Sequence, residues 1–329
     1  MRKLILLVVV IATTFSCNND GSKKVIRILP DSAGPFNKIA IVVDNELWKN
    51  TVGETIRSVM TQSIDGLPQP EPMFSLSQIP TPVFTGFAKQ SRSILKVEQG
   101  ESGFKIERDV HARPQKIVTV SGKDITEIKA QINKNADNII EALKAEEIRY
   151  KQKQMSKSLS RNKAVQEALD IKVKFPSYYR VTNTIAKPED KFNWIKRDIP
   201  TGYTNIVFYE LPLSAIKKND SLVSQIIRTR DSIGKKYIPG PADGSYMATE
   251  MAYAPHVYET IIDNKPTIEV KGLWDVKNQF MSGPFIMYII EDKVNDRYVV
   301  AEGFAFAPSV SKRNYVFELE SIIKSIRVN

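Results

Sequence analysis

The chain has 329 residues, in which 47 Lys and Arg residues face 37 Asp and Glu residues, giving a formal net charge of +10. A hydrophobic fraction of 42% and a charged fraction of 26% are typical of a globular protein with one large or two medium domains. One cysteine excludes an intrachain disulfide and a thiolate metal cluster, and two histidines are too few for a histidine-rich metal centre. We therefore expect no metal and no cofactor.

The first 16 residues have the pattern of an export signal. Basic Arg2 and Lys3 precede an unbroken apolar run at 4–12. This run is shorter than the about 20 residues of a membrane-spanning helix and is typical of a signal-peptide core. Ser16 and Cys17 then resemble a bacterial lipoprotein signal, in which cleavage occurs before a cysteine that carries lipid. The alternative is a secreted protein with a spare thiol at Cys17.

The lipoprotein resemblance implies a location in the cell envelope. Residues 1–16 would be the signal peptide, and residues 17–24 the lipidated cysteine, with palmitate among its acyl chains, and a polar tether. Loss of Arg2 and Lys3 lowers the net charge by two. Asp does not directly follow Cys17, which by resemblance to bacterial sorting signals implies the outer membrane, at its periplasmic face or at the cell surface. We expect the membrane as a partner, and no nucleic acid.

Residues 25–165 are predicted to form an N-terminal α+β domain. The β-branched run at 39–43 predicts a buried strand, and a helix follows from about Glu46. Three prolines at 66–72 exclude regular structure there. Apolar residues at steps of three and four from 125 to 143 predict one long amphipathic helix. Further strands are predicted at 93–98, 104–109 and 116–120.

The segment 144–163 is strongly basic, with seven basic and two acidic residues. Such a segment can meet anionic lipid or nucleic acid, but an exported lipoprotein does not routinely meet nucleic acid. The other interpretation, which we favour, is a solvated helix that links the two halves of the chain.

Residues 166–329 are predicted to form a C-terminal α+β domain. Its apolar periodicity predicts a helix at 221–236 and a final helix from about Arg313, with apolar residues up to Ile326 facing the core. Strands followed by a helix, more strands and a closing helix are typical of α+β folds, in which helices pack on mainly antiparallel sheet. We expect this class for both halves. Strands are predicted at 172–179, 192–198, 205–211, 247–252, 267–276, 283–291 and 297–307.

Two resemblances to known families follow from short stretches. In the C-terminal half, Phe175-Pro-Ser-Tyr-Tyr179, Phe192-Asn-Trp-Ile195 and the terminal helix at 319–326 resemble the photosystem PsbP protein and its relatives, which implies a fold and no function. Four other stretches resemble a family of uncharacterised Bacteroidetes envelope lipoproteins, a domain of unknown function, and this implies location and architecture only. They are 66–72 (Gly-Leu-Pro-Gln-Pro-Glu-Pro), 238–250 (Ile-Pro-Gly-Pro-Ala-Asp-Gly-Ser-Tyr-Met-Ala-Thr-Glu), 271–274 (Lys-Gly-Leu-Trp) and 280–285 (Phe-Met-Ser-Gly-Pro-Phe).

The sequence contains little that points to catalysis. A Ser nucleophile needs an adjacent base, and the histidine candidates are His111 and His256. Ser245, His256 and Glu250 are close in sequence, but the Gly-x-Ser-x-Gly turn is missing, and an ordinary half-buried His256 is the alternative. We therefore predict no catalytic residue.

A second possibility is hydrolysis by paired carboxylates. Asp243, Glu250 and Glu269 are the candidates, since two carboxylates at the right separation can hydrolyse a glycosidic bond. With 37 acidic residues in the chain, some pair is inevitable, so the pattern is weak evidence.

Aromatic residues in loops rich in Gly and Pro indicate a binding surface. Such loops often carry binding residues, although core packing is the alternative for each ring. We predict a site between the loops 238–250 and 272–285, formed by Asp243, Tyr246, Glu250, Trp274 and Phe280. The function that follows is a lipid-anchored, non-catalytic binding or scaffold lipoprotein with an envelope protein or glycan as partner. The alternative is a carboxylate-dependent hydrolase that acts on an envelope polymer.

Overall fold

The computed structural model describes residues 28–182 and 186–329. The predicted signal peptide, Cys17 and the polar tether therefore lie outside the described residues. Within the described ranges, no helix has both the length and the apolar character needed to cross a membrane.

The N-terminal half is a five-stranded sheet covered by helices. Its strands are β1 (Lys38–Val42), β2 (Ser75–Ile79), β3 (Ser93–Gln99), β4 (Gly103–Arg108) and β5 (Lys116–Gly122). Its helices are α1 (Asn45–Lys49), α2 (Thr51–Met60), α3 (Ile125–Lys134) and α4 (Ala136–Met155). The strand order is β2-β1-β3-β5-β4.

Strand direction in this sheet differs from the antiparallel expectation. β1 pairs in parallel with β2 and β3, and β3 pairs in parallel with β5, whereas β4 alone among the described strands of this sheet is antiparallel to its neighbour. The chain returns to the same end of the sheet between these strands, for instance through α1 and α2, and such crossovers make neighbouring strands parallel.

The C-terminal half is built on an eight-stranded antiparallel sheet. The strands of this half are β6 (Ile171–Lys172), β7 (Arg180–Val181), β8 (Phe192–Ile199), β9 (Gly202–Pro212), β10 (Met247–Thr249), β11 (His256–Ile262), β12 (Lys265–Val276), β13 (Gln279–Asp292), β14 (Arg297–Phe306) and β15 (Arg327–Val328). Its helices are α5 (Ala164–Leu169), α6 (Leu222–Tyr237) and α7 (Arg313–Ile323). The sheet order is β10-β12-β13-β14-β9-β8-β7, with β11 also beside β12, and β6 pairs separately with β15.

Both faces of the C-terminal sheet are covered. Ile322 and Ile323 of α7 belong to the core on one face, and Ile226 of α6 belongs to the core on the other. Residues 283–290 of β13 are consequently buried without alternation, since a strand covered on two sides needs apolar residues at every position. Most pairings of the described chain are antiparallel, so the predicted α+β class is confirmed.

Two local predictions are wrong. The single helix predicted from 125 to 143 is two helices, because Asn135 interrupts it and its side chain donates to the carbonyl of Gln131. The strand predicted at 172–179 ends at Lys172, and Pro176 further along forms only an isolated bridge with Leu159.

The basic segment after Leu143 is also not a solvated linker. α4 continues to Met155, and Glu146, Glu147 and Ile148 are buried in it. Its charged residues make specific contacts instead: Lys151 lies 2.5 Å from the carboxylate of Glu318 on α7. The segment therefore packs between the two halves of the molecule.

Candidate functional site

A cavity of about 60 Å³ lies where the two halves meet, and we call it the junction cavity. Its volume is several times what one water molecule needs. From the N-terminal half it is lined by Asn37, Ser63, Ile64, Asp65, Met73, Phe74 and Lys144, and from the C-terminal half by Lys271, Ile286, Arg313, Val316, Phe317 and Glu320. Ligand sites are common at such boundaries, so the junction cavity is the candidate site.

A buried cluster of opposite charges forms one wall of the junction cavity. The ammonium of Lys144 on α4 lies 2.8 Å from the carboxylate of Glu320 on α7, and that of Lys324 lies 3.0 Å from the same carboxylate. The hydroxyl of Tyr288 donates to Glu269 at 2.9 Å and to Glu320 at 3.3 Å. The hydroxyl of Tyr288 therefore lies between the carboxylates of Glu269 and Glu320.

The cluster shifts the protonation equilibria of its members. Burial alone would raise the pKa of Glu320, but Lys144, Lys324 and Lys271 outweigh it and lower this pKa. Burial lowers the pKa of Lys144, and Glu320 offsets part of that effect. Burial and the two carboxylates together raise the pKa of Tyr288 well above its usual value. Glu320 is therefore held as a carboxylate and Tyr288 as a neutral phenol.

Lys271 brings a further cation to the junction cavity from the sheet. Its ammonium lies 3.2 Å from Glu269 and 4.9 Å from the ring centre of Tyr258. A lysine ammonium has three donors, and one carboxylate contact leaves donors for an additional acceptor.

Asn37 and Arg313 reach the junction cavity from opposite halves and share a neighbour. The N–H of Ser75 donates to the carbonyl of Asn37 at 2.8 Å, and the hydroxyl of Ser75 accepts from Nη1 of Arg313 at 3.1 Å. Asn37 Nδ2 and Arg313 Nε are both shielded from solvent, and neither has a hydrogen-bond partner within the described residues. Such unsatisfied buried donors are rare and need an explanation.

The backbone of Asn37 is held in an unusual conformation. Its φ of 56° is in the left-handed region, which Asn tolerates better than most residues. Its N–H donates to the buried carboxylate of Glu147 at 2.9 Å, and the same carboxylate pairs with Arg92. These contacts fix Asn37 at the start of β1 with its side chain at the cavity.

The proline-rich loop 66–72 closes the junction from the N-terminal side. A β-carbon at Gly66, whose φ is +77°, would lie 2.7 Å from the backbone nitrogen of Gly272. Further along the loop, Glu71 accepts from the backbone N–H groups of Lys312 and Arg313 at the start of α7. Burial alone would raise the pKa of Glu71, but the hydroxyl of Ser311 and those two N–H groups lower it. Two of the four family-like stretches, 66–72 and 271–274, therefore touch each other beside the cavity.

The loops 238–250 and 272–285, where sequence analysis places the site, lie side by side. Thr249 of β10 pairs with Trp274 of β12, and the N–H of Lys277 donates to the carbonyl of Tyr246 at 3.0 Å. None of the five predicted residues lines the junction cavity: Asp243, Tyr246, Glu250, Trp274 and Phe280.

One of these five residues lies in the core. Trp274 is only 1% exposed and packs edge-on against Phe304 in the core, so its ring is not at the surface. Asp243 and Phe280 are exposed, and Glu250 accepts from the N–H of Ala252, two residues away. The burial of Trp274 agrees with the core-packing alternative for that ring.

The serine-histidine-glutamate arrangement does not form. The hydroxyl of Ser245 donates to the carbonyl of Ala242 at 2.5 Å, and His256 lies 4.0 Å from Asp65. Of the candidate carboxylates, Glu269 belongs to the charge cluster, whereas Asp243 and Glu250 are in the loop 238–250.

Sequence reasoning missed Lys144, Glu320, Asn37 and Arg313. No local pattern distinguishes these residues from other charged and polar residues on helices and loops. One signal was present: Lys271 opens the stretch 271–274, and Asp65 directly precedes the stretch 66–72. Across the ranges that the structure describes, no three His, Cys, Asp or Glu side chains are grouped so as to hold a metal ion.

Comparison with known families divides the chain into two matched regions. Residues 158–325, just over half of the chain, match the model described as "Domain of unknown function (DUF4837)". Residues 32–156 match a second model, described as "Domain of unknown function (DUF8532)". Among curated proteins, none matches the chain.

Proposed function

Because the chain belongs to the family described as domain of unknown function DUF4837, we propose its function from its own residues. It is a lipid-anchored, non-catalytic protein of the cell envelope that binds a ligand between its two halves. The observation that carries this proposal is the junction cavity, whose walls combine residues of both halves with buried polar donors that have no partner among the described residues.

The location rests on the N-terminal sequence. The basic Arg2 and Lys3, the apolar run at 4–12 and the Ser16-Cys17 pair support lipidation at Cys17. The four stretches at 66–72, 238–250, 271–274 and 280–285 support membership among Bacteroidetes envelope lipoproteins. Asn18 in place of Asp directly after Cys17 supports the outer membrane as the destination. The antiparallel sheet between α6 and α7 supports a PsbP-like C-terminal half.

The hydrolase alternative has less support. A glycosidase needs one protonated carboxyl to act as an acid and a second carboxylate to act on the sugar. Glu320 and Glu269 are bridged by Tyr288, but three lysines lower the pKa of Glu320, so it has no proton to donate near neutral pH. The carboxylates are already neutralised by cations, which suits a structural or binding role.

Membrane fractionation tests the location. The wild-type chain should sediment with membranes and should be released by detergent, whereas Cys17→Ala should appear in the soluble fraction, because acyl chains supply the membrane affinity. Cys17→Ala protein that stays with the membranes would contradict lipid anchoring.

Native mass spectrometry tests the binding function. The full-length protein, extracted in mild detergent, should carry a bound small molecule that is released on denaturation. Ser63→Phe places a ring at the lining of the junction cavity and should abolish this adduct. Ser58→Phe, at an exposed serine of α2 that does not line the cavity, is the matched control and should retain it. Wild type without an adduct, or an adduct that survives in Ser63→Phe, would count against the proposal.

A further inference from the structure

We propose that the junction cavity is a carboxylate-binding site, in which Arg313 and Asn37 are the orienting donors and Lys144 and Lys271 supply positive charge. The inference rests on the proposed binding function and specifies the chemistry of its ligand. The ligand places one carboxylate in the cavity, and the rest of the molecule leads out along the junction of the two halves.

The guanidinium of Arg313 has no carboxylate as a hydrogen-bond acceptor among the described residues. Its Nη1 donates to the carbonyl of Pro72 and to the hydroxyl of Ser75, each at 3.1 Å, and both acceptors are neutral. Its Nε has no acceptor within the described part of the chain and is shielded from solvent. The guanidinium presents five donors in a planar fork that matches a carboxylate, so a carboxylate in the cavity would satisfy both its charge and its Nε–H.

Asn37 supplies a second donor at the same place. Its residue is 4% exposed, and its Nδ2 has no acceptor among the described residues. Its backbone N–H and carbonyl are already used by Glu147 and Ser75, so the side-chain amide alone is left for a ligand. A buried amide without an acceptor costs free energy, and ligand binding would recover that cost.

The charges lining the junction cavity favour a monoanion. Its lining contains the cations Lys144, Lys271 and Arg313 and the carboxylates Asp65 and Glu320, an excess of one positive charge. A carboxylate of charge −1 balances this excess. A phosphate monoester carries about −1.5 to −2 at pH 7 and would exceed it.

The junction cavity, of about 60 Å³, has room for the carboxyl group of a larger ligand. Asp65 belongs to the lining of the cavity, and its carboxylate also accepts from the hydroxyl of Tyr258 at 2.5 Å.

Acetate is the probe for this proposal. The detergent-solubilised full-length protein is titrated with sodium acetate, with sodium chloride at equal ionic strength as the reference, while its melting temperature is followed. Acetate should raise the melting temperature saturably. Arg313→Gln and Asn37→Gly should each weaken the apparent affinity by about tenfold, as expected for loss of a hydrogen bond to a charged group.

The variants are chosen to separate binding from folding. Asn37→Gly removes the amide while a glycine accepts the positive φ without strain. Arg180→Gln, which removes an exposed arginine paired with Asp198, is the matched control and should bind acetate like wild type. Should a variant fail to fold, hydrogen exchange of the wild type decides: acetate must slow exchange of the amides of Lys312 and Arg313 relative to chloride, and unchanged exchange overturns the inference.

Several outcomes would overturn the carboxylate assignment. They are a melting temperature that responds equally to acetate and chloride, an acetate effect unchanged in both variants, and a saturable preference for inorganic phosphate over acetate. A native ligand that proves neutral or lacks a carboxyl group would also overturn this inference while leaving the proposed binding function intact. Protein that carries no ligand at all, by contrast, fails the test of the proposed function itself.

Discussion

Lys144 on α4 and Glu320 on α7 form an ion pair of 2.8 Å that joins the two halves of the molecule. The side chain of Glu320 is only 5% exposed, and the same carboxylate is held by Lys324. A buried carboxylate is costly unless cations and hydrogen bonds compensate it. The contact therefore holds the halves in one arrangement, since separating them would leave Glu320 short of a partner.

Glu320→Gln should be strongly destabilising, because it removes the buried carboxylate that the half-buried side chains of Lys144 and Lys324 share. We expect a loss of about 3–5 kcal/mol in the free energy of unfolding, measured by urea denaturation with tryptophan fluorescence. The matched control is Glu98→Gln, which breaks the exposed pair of Lys96 and Glu98 and should cost about 0–1 kcal/mol. Equal costs for the two variants would show that the junction pair is not buried in solution.

Gly66→Ala should destabilise the protein more than Gly244→Ala does. Both glycines have nearly the same positive φ, +77° and +74°, so each alanine is strained by about 1–2 kcal/mol. Only at Gly66 does the new β-carbon also meet the backbone nitrogen of Gly272, at 2.7 Å, whereas nothing lies within 4 Å at Gly244. Thermal unfolding of the two variants measures the difference, and a lower melting temperature for Gly244→Ala would refute the close approach.

Arg230→Met should destabilise the protein, because it removes the cation that pairs with the buried carboxylate of Glu302. Arg230 on α6 donates to Glu302 at 2.7 and 3.1 Å and to Thr249 at 3.0 Å. Burial raises the pKa of Glu302, and Arg230 partly opposes this. Without the guanidinium, Glu302 is buried and unpaired, so we expect a loss of about 3–5 kcal/mol in urea denaturation.

The neighbouring Arg228→Met is the control for Arg230→Met. Arg228 is on the same helix and exposed, so its replacement should change the free energy of unfolding by less than about 0.5 kcal/mol. A comparable loss in both variants would mean that the change reflects α6 itself and not the contact with Glu302.

Acid should lower the free energy of unfolding, in part because it protonates Glu318. Burial alone would raise the pKa of Glu318, but Lys151 and Arg197 outweigh it and lower this pKa. A lowered carboxyl pKa adds stability that is present above its unfolded value of 4.5 and is lost as pH falls through the folded value.

Wild type should therefore be more stable than Glu318→Gln by a constant amount between about pH 6 and 8, where the pH is above both the folded and the unfolded pKa. This difference in stability should shrink as the pH falls below about 4.5. Urea denaturation at a series of pH values measures both curves. An advantage that grows on acidification would contradict the sign of this shift.

Local signals in the sequence anticipate much of the fold. Apolar periodicity predicts α6 and the start of α7 almost to the residue, because the periodicity depends on which side of one helix is buried. The strand predicted at 283–291 lies within β13. The same reasoning fails at Asn135, where a side-chain hydrogen bond ends a helix whose apolar spacing continues. It also fails for the parallel strands, since strand direction depends on where the connections cross.

The location of the candidate site could not be predicted from local sequence patterns. The aromatic and Gly-rich loops 238–250 and 272–285 are adjacent as expected, yet Trp274 is part of the core and the other four predicted residues do not line the cavity. Asn37 precedes β1, Lys144 is on α4, and Arg313 and Glu320 are on α7, so these residues meet only when the two halves pack.

By itself the sequence determined the α+β class of the protein, while lipidation at its single cysteine, Cys17, stays a prediction. The tertiary structure decided where charges are buried and which of them are paired. The physical reason is that secondary structure follows from neighbours three or four positions away, whereas desolvation and ion pairing depend on residues that are distant in the chain. The junction cavity, with Arg313 and Asn37 at its wall, belongs to this second kind of information.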